Sequence, residues 1–330
     1  MTGKFLILGA NSFSGATFAD YLAEQGYDVI ATSRSEQPSD AFLPYKWQPR
    51  PGKVRFEVVD LNHDLDRLDA LMKAERPTHV VNFAAQSMVG QSWENPDHWM
   101  MTNVVSTVRL HDCLRKCDWL ERYVHVTTPE VYGSTEGWVK EDAPFNPSTP
   151  YAVSRAAADM SLRTYVNQYS FPAVSTRAAN VYGPGQQLYR IIPRTILVGL
   201  TGGKLTLDGG GKSIRSFITM RDVSDATLKV ALSGTVGDTY HISTDRMISI
   251  LDLVKMIFSD LDCDFDAHVT VGPERPGKDS AYMLDSSKIR AELGWSDRET
   301  LEEGIAQTVA WATRFKDELI ATNPDYVHKP

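Results

Sequence analysis

Cysteine is scarce in this chain of 330 residues, which contains only three, Cys113, Cys117 and Cys263. So small and odd a set excludes a disulfide framework and is typical of proteins in reducing compartments. Cys113 and Cys117 lie four positions apart in a predicted helix, where they could hold zinc or pack as small apolar side chains. Because no second pair of ligand residues accompanies them, we favour packing and predict no metal site.

Long apolar spans and blocks of basic residues are also missing. The 34 Lys and Arg residues are outnumbered by 42 Asp and Glu residues, which gives a net charge of -8. This balance disfavours nucleic acid and anionic membrane surfaces as partners, and no run is long enough to cross a bilayer. The first strand follows residues 1–4 without a signal-peptide pattern, so we expect a cytoplasmic protein.

The first half of the sequence alternates short apolar runs with helical patterns. Near-continuous apolar runs are typical of strands that are buried on both faces, and alternation of strands with helices produces right-handed βαβ units. We therefore predict an α/β fold with a doubly wound parallel sheet of the Rossmann type. The predicted strands are Lys4–Gly9, Asp28–Ser33, Val54–Val59, His79–Ala84, Arg122–Thr127 and Ala173–Thr176. The predicted helices are Ser14–Gln25, Asp64–Ala74, Asp97–Cys117 and Tyr151–Tyr169.

After Asn180 the pattern is less regular, because proline and glycine interrupt it often. We predict a first domain over residues 1–180, to which residues 216–234 return, and a smaller α/β domain over residues 181–330. Short strands are predicted there at Lys204–Leu207, Ser216–Thr219 and Asp238–Ile242. Helices are predicted at Ser249–Ser259, Asp285–Leu293 and Leu301–Phe315.

The first strand–loop–helix carries a GxxGxxG frame in which Ser12 takes the place of the middle glycine. Backbone N–H groups at the start of the helix can face a pyrophosphate, and glycines let the backbone approach it. Two glycines around a turn can also be no more than a turn, but the βαβ context favours a dinucleotide site. The residues predicted to contact the dinucleotide here are Gly9, Asn11, Ser12, Phe13, Ser14 and Gly15.

The ends of the second and third strands indicate which dinucleotide binds. Asp60, followed by Leu61, could bond the adenine amino group or act as a helix N-cap. NAD sites usually offer an acidic residue to the ribose after the second strand, whereas this chain offers Ser33 and Arg34. Arg34 suits a 2′-phosphate, although it could also be a solvated loop arginine. We predict NADP(H), with NAD(H) possible.

A catalytic pattern follows in the middle of the chain. Tyr151 and Arg155 lie one helical turn apart on one face, and a nearby cation lowers the pKa of a tyrosine. Such a tyrosine can take a proton from a sugar hydroxyl while hydride leaves the same carbon for nicotinamide. Thr128 ends a strand at the edge where such sheets bind ligands, and Glu130 is either a general base or a solvated loop residue.

Several further stretches complete a known pattern over nearly the whole chain. They are Asn82-Phe83-Ala84-Ala85-Gln86-Ser87, Thr127-Thr128-Pro129-Glu130-Val131-Tyr132-Gly133, Pro150-Tyr151-Ala152-Val153-Ser154-Arg155, Asn180-Val181-Tyr182-Gly183-Pro184 and Arg275-Pro276-Gly277-Lys278-Asp279. With them the chain resembles the extended short-chain dehydrogenases/reductases, in the branch of the nucleotide-sugar 4,6-dehydratases. The Ala-Ala-Gln-Ser and Pro-Tyr-Ala-Val pieces are similar to GDP-mannose dehydratases, and the Arg-Pro-Gly-x-Asp piece is similar to dTDP-glucose dehydratases.

The resemblance implies a redox-neutral lyase reaction. Tyr151 would deprotonate the sugar 4-hydroxyl, held by Thr128, as hydride moves from C4 to NADP⁺. Glu130 would remove the C5 proton, the C6 hydroxyl would leave as water, and hydride would return to C6. The product would be an NDP-4-keto-6-deoxy-hexose.

The resemblance also implies partners and binding residues. The first domain would bind NADP and the second the nucleotide sugar, in a homodimer formed through the helices Asp97–Cys117 and Tyr151–Tyr169. Further cofactor contacts would come from Ala84, Ala85, Gln86, Tyr151 and Arg155. Substrate contacts would come from Ser87, Thr128, Glu130, Asn180, Arg190, Arg215 and Arg275. An arginine offers a bidentate fork to a diphosphate, but each one could instead form a surface salt bridge.

Two positions depart from the family pattern. Arg155 stands where the family has lysine, which keeps the charge but not the compact geometry. Pro129 stands where dTDP-glucose dehydratases have an acid, so Glu130 would serve as base and then as acid. The alternatives are an NDP-sugar 4-epimerase or C4 oxidoreductase, which needs no Glu130, and a catalytically silent NADP- or sugar-binding protein.

Overall fold

The computed structural model of the chain describes residues 3–135, 137–273 and 283–329. Its strands are β1 (Lys4–Leu8), β2 (Asp28–Ser33), β3 (Val54–Val58), β4 (His79–Asn82), β5 (Arg122–Val126), β6 (Trp138–Val139), β7 (Ala173–Ala178), β8 (Asn180–Tyr182), β9 (Leu205–Asp208), β10 (Ile214–Thr219), β11 (Thr239–Ile242), β12 (Met247–Ser249), β13 (Val269–Gly272) and β14 (Met283–Leu284). Its α-helices are α1 (Phe13–Glu24), α2 (Leu65–Glu75), α3 (Pro96–Met100), α4 (Thr107–Leu114), α5 (Pro150–Tyr169), α6 (Ile191–Thr201), α7 (Met220–Ser233), α8 (Ile250–Asp260), α9 (Phe265–His268), α10 (Ser287–Leu293), α11 (Leu301–Arg314) and α12 (Lys316–Ala321).

A seven-stranded parallel sheet lies at the centre, in the order β11-β7-β5-β4-β1-β2-β3. Successive residues of β1 belong to two different hydrophobic clusters. Phe5 and Ile7 pack into one, and Leu6 and Leu8 pack into the other. Because side chains alternate along a strand, the apolar run in the sequence fills both faces of the sheet. The predicted doubly wound Rossmann-type sheet is confirmed.

The predicted helix Asp97–Cys117 is interrupted in the structure. Residues Met101–Ser106 form a π-helical segment that joins α3 to α4, and α4 ends at Leu114. A π segment widens the helix by one residue per turn and therefore changes the direction in which its side chains point. The periodicity of the sequence does not reveal such a segment.

The chain returns to the first sheet in its second half, through α7 and β11. Helix α7 packs against α1, and β11 adds to the sheet as a parallel neighbour of β7. The return therefore extends past the predicted residues 216–234, because Tyr240 and Ile242 of β11 are buried in the cluster that contains Val174. The division of the chain into two domains stays a prediction.

The rest of the second half forms smaller layers. Strands β8, β10 and β12 form one sheet, while β9 pairs with β13 and β6 with β14. Helices α6, α8 and α11 share a core that includes Phe42 from the loop after β2. Trp311 of α11 donates a hydrogen bond of 2.7 Å to the carbonyl of Ala41, which ties this layer to the first half. Within the described ranges, every helix is too short or too polar to span a bilayer.

Candidate active site

The glycine loop after β1 is tightly packed against the sheet. Gly9 has a φ of 82°, and a Cβ added there would lie 2.6 Å from the backbone nitrogen of Ala84. A Cβ at Gly15 would lie 2.4 Å from the carbonyl oxygen of Gly9. Both positions therefore require glycine, as they do in loops that bring helix, strand and pyrophosphate close together.

Ser12, at the position of the replaced glycine, is the N-cap of α1. Its hydroxyl accepts a hydrogen bond of 3.1 Å from the Gly15 N–H and donates one of 2.7 Å to the Gly9 carbonyl. A serine N-cap stabilises a helix start by about 1 kcal/mol relative to alanine. Ser12 thus stabilises the loop, and it also lines the groove that lies above the loop.

A groove at the carboxyl edge of β1, β2, β3 and β4 contains nine of the predicted cofactor residues. They are Gly9, Ser12, Ser33, Arg34, Asp60, Leu61, Ala84, Ala85 and Gln86. The groove is also lined by residues that were not predicted as cofactor contacts, namely Leu8, Thr32, Val59, Asn62, Phe83 and Thr102. Most of these flank a predicted residue at a strand end, so the strand assignments themselves indicated them.

Other predicted residues of the loop have structural roles. Phe13 packs into the hydrophobic core, and Gly15 is buried beneath the loop. Asn11 donates hydrogen bonds of 2.8 and 3.0 Å to the carbonyls of Ser35 and Glu36, which holds the loop after β2. None of these three residues lines the groove.

Asp60 and Arg34 face the groove from neighbouring strand ends. The Asp60 carboxylate accepts a hydrogen bond of 2.8 Å from the Asn62 N–H, while the N-cap of α2 is Asp64. Asp60 is therefore not the helix cap that was the alternative to an adenine contact. Arg34 donates a hydrogen bond of 3.0 Å to the carbonyl of Lys329, so it is not simply a solvated loop residue.

Asn103, in the π-helical segment, connects the groove to α5. Its side-chain amide accepts a hydrogen bond of 2.8 Å from the Gln86 N–H, and it donates to the Gln86 carbonyl and to the Ser154 hydroxyl, each at 2.9 Å. Ser154 lies in α5 between Tyr151 and Arg155. Since Asn103 is fully buried, this single amide fixes the position of Gln86 relative to α5.

The predicted catalytic residues come together at the ends of β5 and α5. The hydroxyls of Thr128 and Tyr151 are hydrogen-bonded to each other, and Thr128 also caps the short turn that carries Glu130. The charge of Glu130 acts directly on the Tyr151 phenol. The end of β5 and the first turn of α5 thus bring a hydroxyl, a phenol and a carboxylate close together.

The pKa of Tyr151 is raised, which differs from the expectation that the neighbouring cation would lower it. Burial is the largest cause, and the negative charge of Glu130 raises the pKa further. Arg155, the Thr128 hydrogen bond and Arg190 all lower it, but by less in total. The sequence showed the cation one turn away but not how deeply the phenol is buried.

Arg155 is buried and donates a hydrogen bond to the carbonyl of Val126, the last residue of β5. Its Nε has no hydrogen-bond partner among the described residues. A buried guanidinium with an unused donor suits a side chain that completes its hydrogen bonds with a bound group. Together with the tight glycine loop, this fits a dinucleotide whose nicotinamide end reaches Tyr151.

The same helix face carries a buried carboxylate that the sequence pattern did not lead us to predict. Asp159 lies one turn beyond Arg155 and binds Arg177 at 2.8 Å and the Thr127 hydroxyl at 3.0 Å. His125 lies 3.4 Å from its other oxygen. Although burial opposes ionisation, His125 and Arg177 lower the pKa of Asp159 to about 2. The spacing of Tyr151, Arg155 and Asp159 at i, i+4 and i+8 could have revealed this residue.

The predicted substrate residues are only partly brought together. Arg190, the N-cap of α6, is near enough to Tyr151 to affect its pKa. Asn180 uses its amide to donate to the Ser216 carbonyl at 3.1 Å, and Arg215 donates to the Ile214 carbonyl at 2.8 Å. Ser87 is exposed beside Gln86. Arg275 and its Arg-Pro-Gly-x-Asp motif lie outside the described residues.

The site can now be compared with known proteins. Residues 6–308 match the family of GDP-mannose 4,6-dehydratases. The chain belongs to this family. The predicted class of extended short-chain dehydrogenase/reductase, a nucleotide-sugar 4,6-dehydratase that acts as a hydro-lyase with a nicotinamide dinucleotide, is thereby confirmed.

Individual members of the family show how far the likeness extends. The dTDP-glucose 4,6-dehydratase of Neisseria meningitidis is 33% identical, covering 93% of this chain and 92% of the relative. A trifunctional UDP-glucose 4,6-dehydratase/UDP-4-keto-6-deoxy-D-glucose 3,5-epimerase/UDP-4-keto-L-rhamnose-reductase of Arabidopsis thaliana is 31% identical over 94% of this chain, which spans only 47% of that relative. The crystal structure of a dTDP-glucose 4,6-dehydratase from Streptomyces venezuelae, with NAD bound, has 30% identity and a TM-score of 0.86 over 96% of this chain and 98% of its own.

Proposed function

We propose that this chain forms an NDP-4-keto-6-deoxy-hexose from a nucleotide sugar, with Tyr151, Thr128 and Glu130 as its catalytic residues. The observation that carries the proposal is that Glu130 and Tyr151 share one site, near enough for the carboxylate to affect the phenol. Elimination of water needs one base for a hydroxyl proton and another for a carbon acid. A 4-epimerase or C4 oxidoreductase needs only the first.

Each residue has a separate task in the proposed reaction. Tyr151 takes the proton of the sugar 4-hydroxyl, which Thr128 positions. A bound NAD(P)⁺ supplies the hydride chemistry, from C4 and back to C6. Glu130 removes the C5 proton, and because Pro129 has no proton to donate, Glu130 delivers that proton to the departing C6 hydroxyl, which leaves as water. Glu130 then takes a proton from solvent and gives it to C5 as hydride returns to C6, and Tyr151 releases the 4-hydroxyl proton to solvent.

The cofactor is held between the glycine loop and the ends of β2, β3 and β4, by residues that include Gly9, Ser12, Asp60 and Gln86. We propose NADP as the preferred form, with NAD as a possible one, because Arg34 takes the place of the usual acidic residue. A lower dissociation constant for NAD⁺ than for NADP⁺ would overturn this preference.

The nucleotide sugar is proposed to bind above Tyr151, where Arg190 contributes a positive charge. Asn180, Arg215, Ser87 and Arg275 are proposed as further contacts. GDP-mannose is the first substrate to test, since the Ala-Ala-Gln-Ser and Pro-Tyr-Ala-Val pieces resemble GDP-mannose dehydratases, and dTDP-glucose is the second.

A homodimer is proposed through α3, α4 and α5. Large apolar side chains are exposed on or next to these elements: Met160 (63% exposed) and Val153 on α5, Trp93 (64% exposed) in the turn before α3, and Met101 directly after α3. Exposed apolar side chains often mark a protein interface, and these elements could pack against their copies in a symmetric dimer. A monomer in light scattering would contradict this, and Met160→Glu should dissociate the dimer.

We also propose that the protein works in the cytoplasm. Cys113, Cys117 and Cys263 are all free thiols. Free thiols persist in reducing compartments, whereas secreted proteins commonly oxidise them. Fractionation of the source cells, with an antibody against the chain, would place it.

The experiment is incubation of the protein and cofactor with GDP-, dTDP-, UDP- and CDP-hexoses. Mass spectrometry should detect loss of one water from at least one of them, with no net consumption of NADP⁺. Glu130→Gln should abolish this loss, while an epimerase would retain its activity. Intact cofactor binding without any turnover would favour a silent binding protein.

A further inference from the structure

The segment 323–329, which follows α12, lies extended on the surface of the molecule. We call it the strap. Its residues alternate between exposed and half-buried along its whole length, which is the pattern of an extended chain lying on a surface. The half-buried side chains are those of Pro324, Tyr326 and His328.

The strap begins against the second half of the chain. Asp325 binds Arg194 of α6 at 3.0 Å. The Tyr326 ring meets the edge of Tyr189, beside the proposed substrate residue Arg190, with centroids 5.4 Å apart. This end of the strap is therefore anchored close to the proposed sugar site.

The strap then reaches the first half of the chain. The His328 ring stacks on His98 and on the fully buried Trp99, with centroids 5.1 and 5.0 Å apart. A ring nitrogen of His328 is 2.8 Å from one of His98. The stack fixes the strap to α3, next to the groove.

One carbonyl of the strap bonds two residues of the groove. The Lys329 oxygen accepts hydrogen bonds from Gln86 at 2.6 Å and from Arg34 at 3.0 Å. Both side chains line the groove together with Gly9 and Asp60. An oxygen that accepts from an arginine and an amide occupies the kind of position that a phosphate or ribose oxygen of a dinucleotide would take.

We propose that the strap closes the dinucleotide groove and competes with the cofactor for Gln86 and Arg34. This inference rests on the proposed function, since it assumes that the groove binds a dinucleotide. Binding requires His328 and Lys329 to move away, whereas the anchor between Asp325 and Arg194 can stay. A strap that is closed about 90% of the time raises the apparent dissociation constant about tenfold.

The test is the affinity of the full chain for NADP⁺ and NAD⁺, measured by calorimetry. His328→Ala removes the stack on Trp99 without changing a residue of the groove. We expect it to lower the dissociation constant by roughly three- to tenfold. Val327→Ala, in the exposed part of the same strap, is the matched control and should leave the constant unchanged.

A second readout follows the strap itself. Because His328 covers Trp99, titration of the unaltered protein with NADP⁺ should change the tryptophan fluorescence, and His328→Ala should lose most of this change. An unchanged or higher dissociation constant in His328→Ala would overturn the strap while leaving the proposed function intact. If neither protein bound either dinucleotide, the proposed function would fail and the strap with it.

Discussion

The side chain of Arg155 donates its hydrogen bond to the backbone carbonyl of Val126, across the gap between α5 and the end of β5. The same face of α5 makes two further contacts with the end of β5. Tyr151 is hydrogen-bonded to Thr128, and Asp159 accepts a hydrogen bond from the Thr127 hydroxyl. Helix and strand are therefore joined by three successive polar contacts. The phenol of Tyr151, the proposed base, is at one end of the series, and the buried ion pair of Asp159 and Arg177 is at the other.

Replacing Arg155 tests whether its charge or its shape matters. Arg155→Lys keeps a cation near Tyr151, so we expect turnover within about tenfold of the unaltered protein. Arg155→Met removes the cation that lowers the pKa of Tyr151, and we expect a loss of about 100-fold or more. Initial rates of water loss measure both. A methionine variant with nearly full turnover would contradict the role of the charge.

Removing the charge of Glu130 should change the titration of Tyr151. Since Glu130 raises the pKa of the Tyr151 phenol, Glu130→Gln should lower it. Ultraviolet titration of tyrosinate reports the change after subtraction of the same protein with Tyr151→Phe. Glu141→Gln is the control, because the Glu141 carboxylate binds the backbone of His241 instead. Equal titration of Tyr151 in both variants would refute the coupling.

The ion pair of Asp159 should be important for stability. Asp159→Asn leaves Arg177 buried without its carboxylate, and breaking a buried pair in this way costs about 3–5 kcal/mol. Thr127→Ala removes only a hydrogen bond to the same carboxylate, which costs about 1 kcal/mol. Urea unfolding measures both free energies. Similar values for the two variants would show that the charge of Asp159 is not needed.

Buried histidines should make the protein sensitive to acid. Burial lowers the pKa of His241 to about 3, below the 6.5 of an exposed histidine. Between these values the unfolded chain binds a proton that the folded chain does not, so stability falls as the pH decreases from about 6.5. The slope is about 1.4 kcal/mol per pH unit for each such group.

His241→Asn checks this linkage. Between pH 6 and pH 4 the free energy of unfolding should depend on pH less steeply than in the unaltered protein, by about 1.4 kcal/mol per pH unit. His63→Asn, at an exposed position before α2, is the control and should leave the slope unchanged. An equal slope in both variants would show that His241 does not contribute.

The strands of the central sheet, their ends and the glycine loop after β1 could be predicted from the sequence. Apolar runs such as Phe5–Leu8 can be recognised as buried strands because alternate residues of one strand pack into the hydrophobic clusters on the two faces of the sheet. This pattern involves only neighbouring residues of the sequence. The tyrosine, its cation and Glu130 could be recognised because helical spacing and strand ends lie within short stretches of chain. The replacement of a glycine by Ser12 was also visible, although its role as a helix cap was not.

How these groups affect one another depends on the tertiary structure. The pKa of Tyr151 depends on burial and on the charges of Glu130 and Arg190, which lie in other segments of the chain. Strand β11 joins the first sheet beside β7, although 60 residues separate the two strands in the sequence. The strap reaches Gln86 from position 329, a contact that no local pattern encodes. Local periodicity reports local geometry, whereas burial, electrostatics and long-range contacts arise from packing of the whole chain.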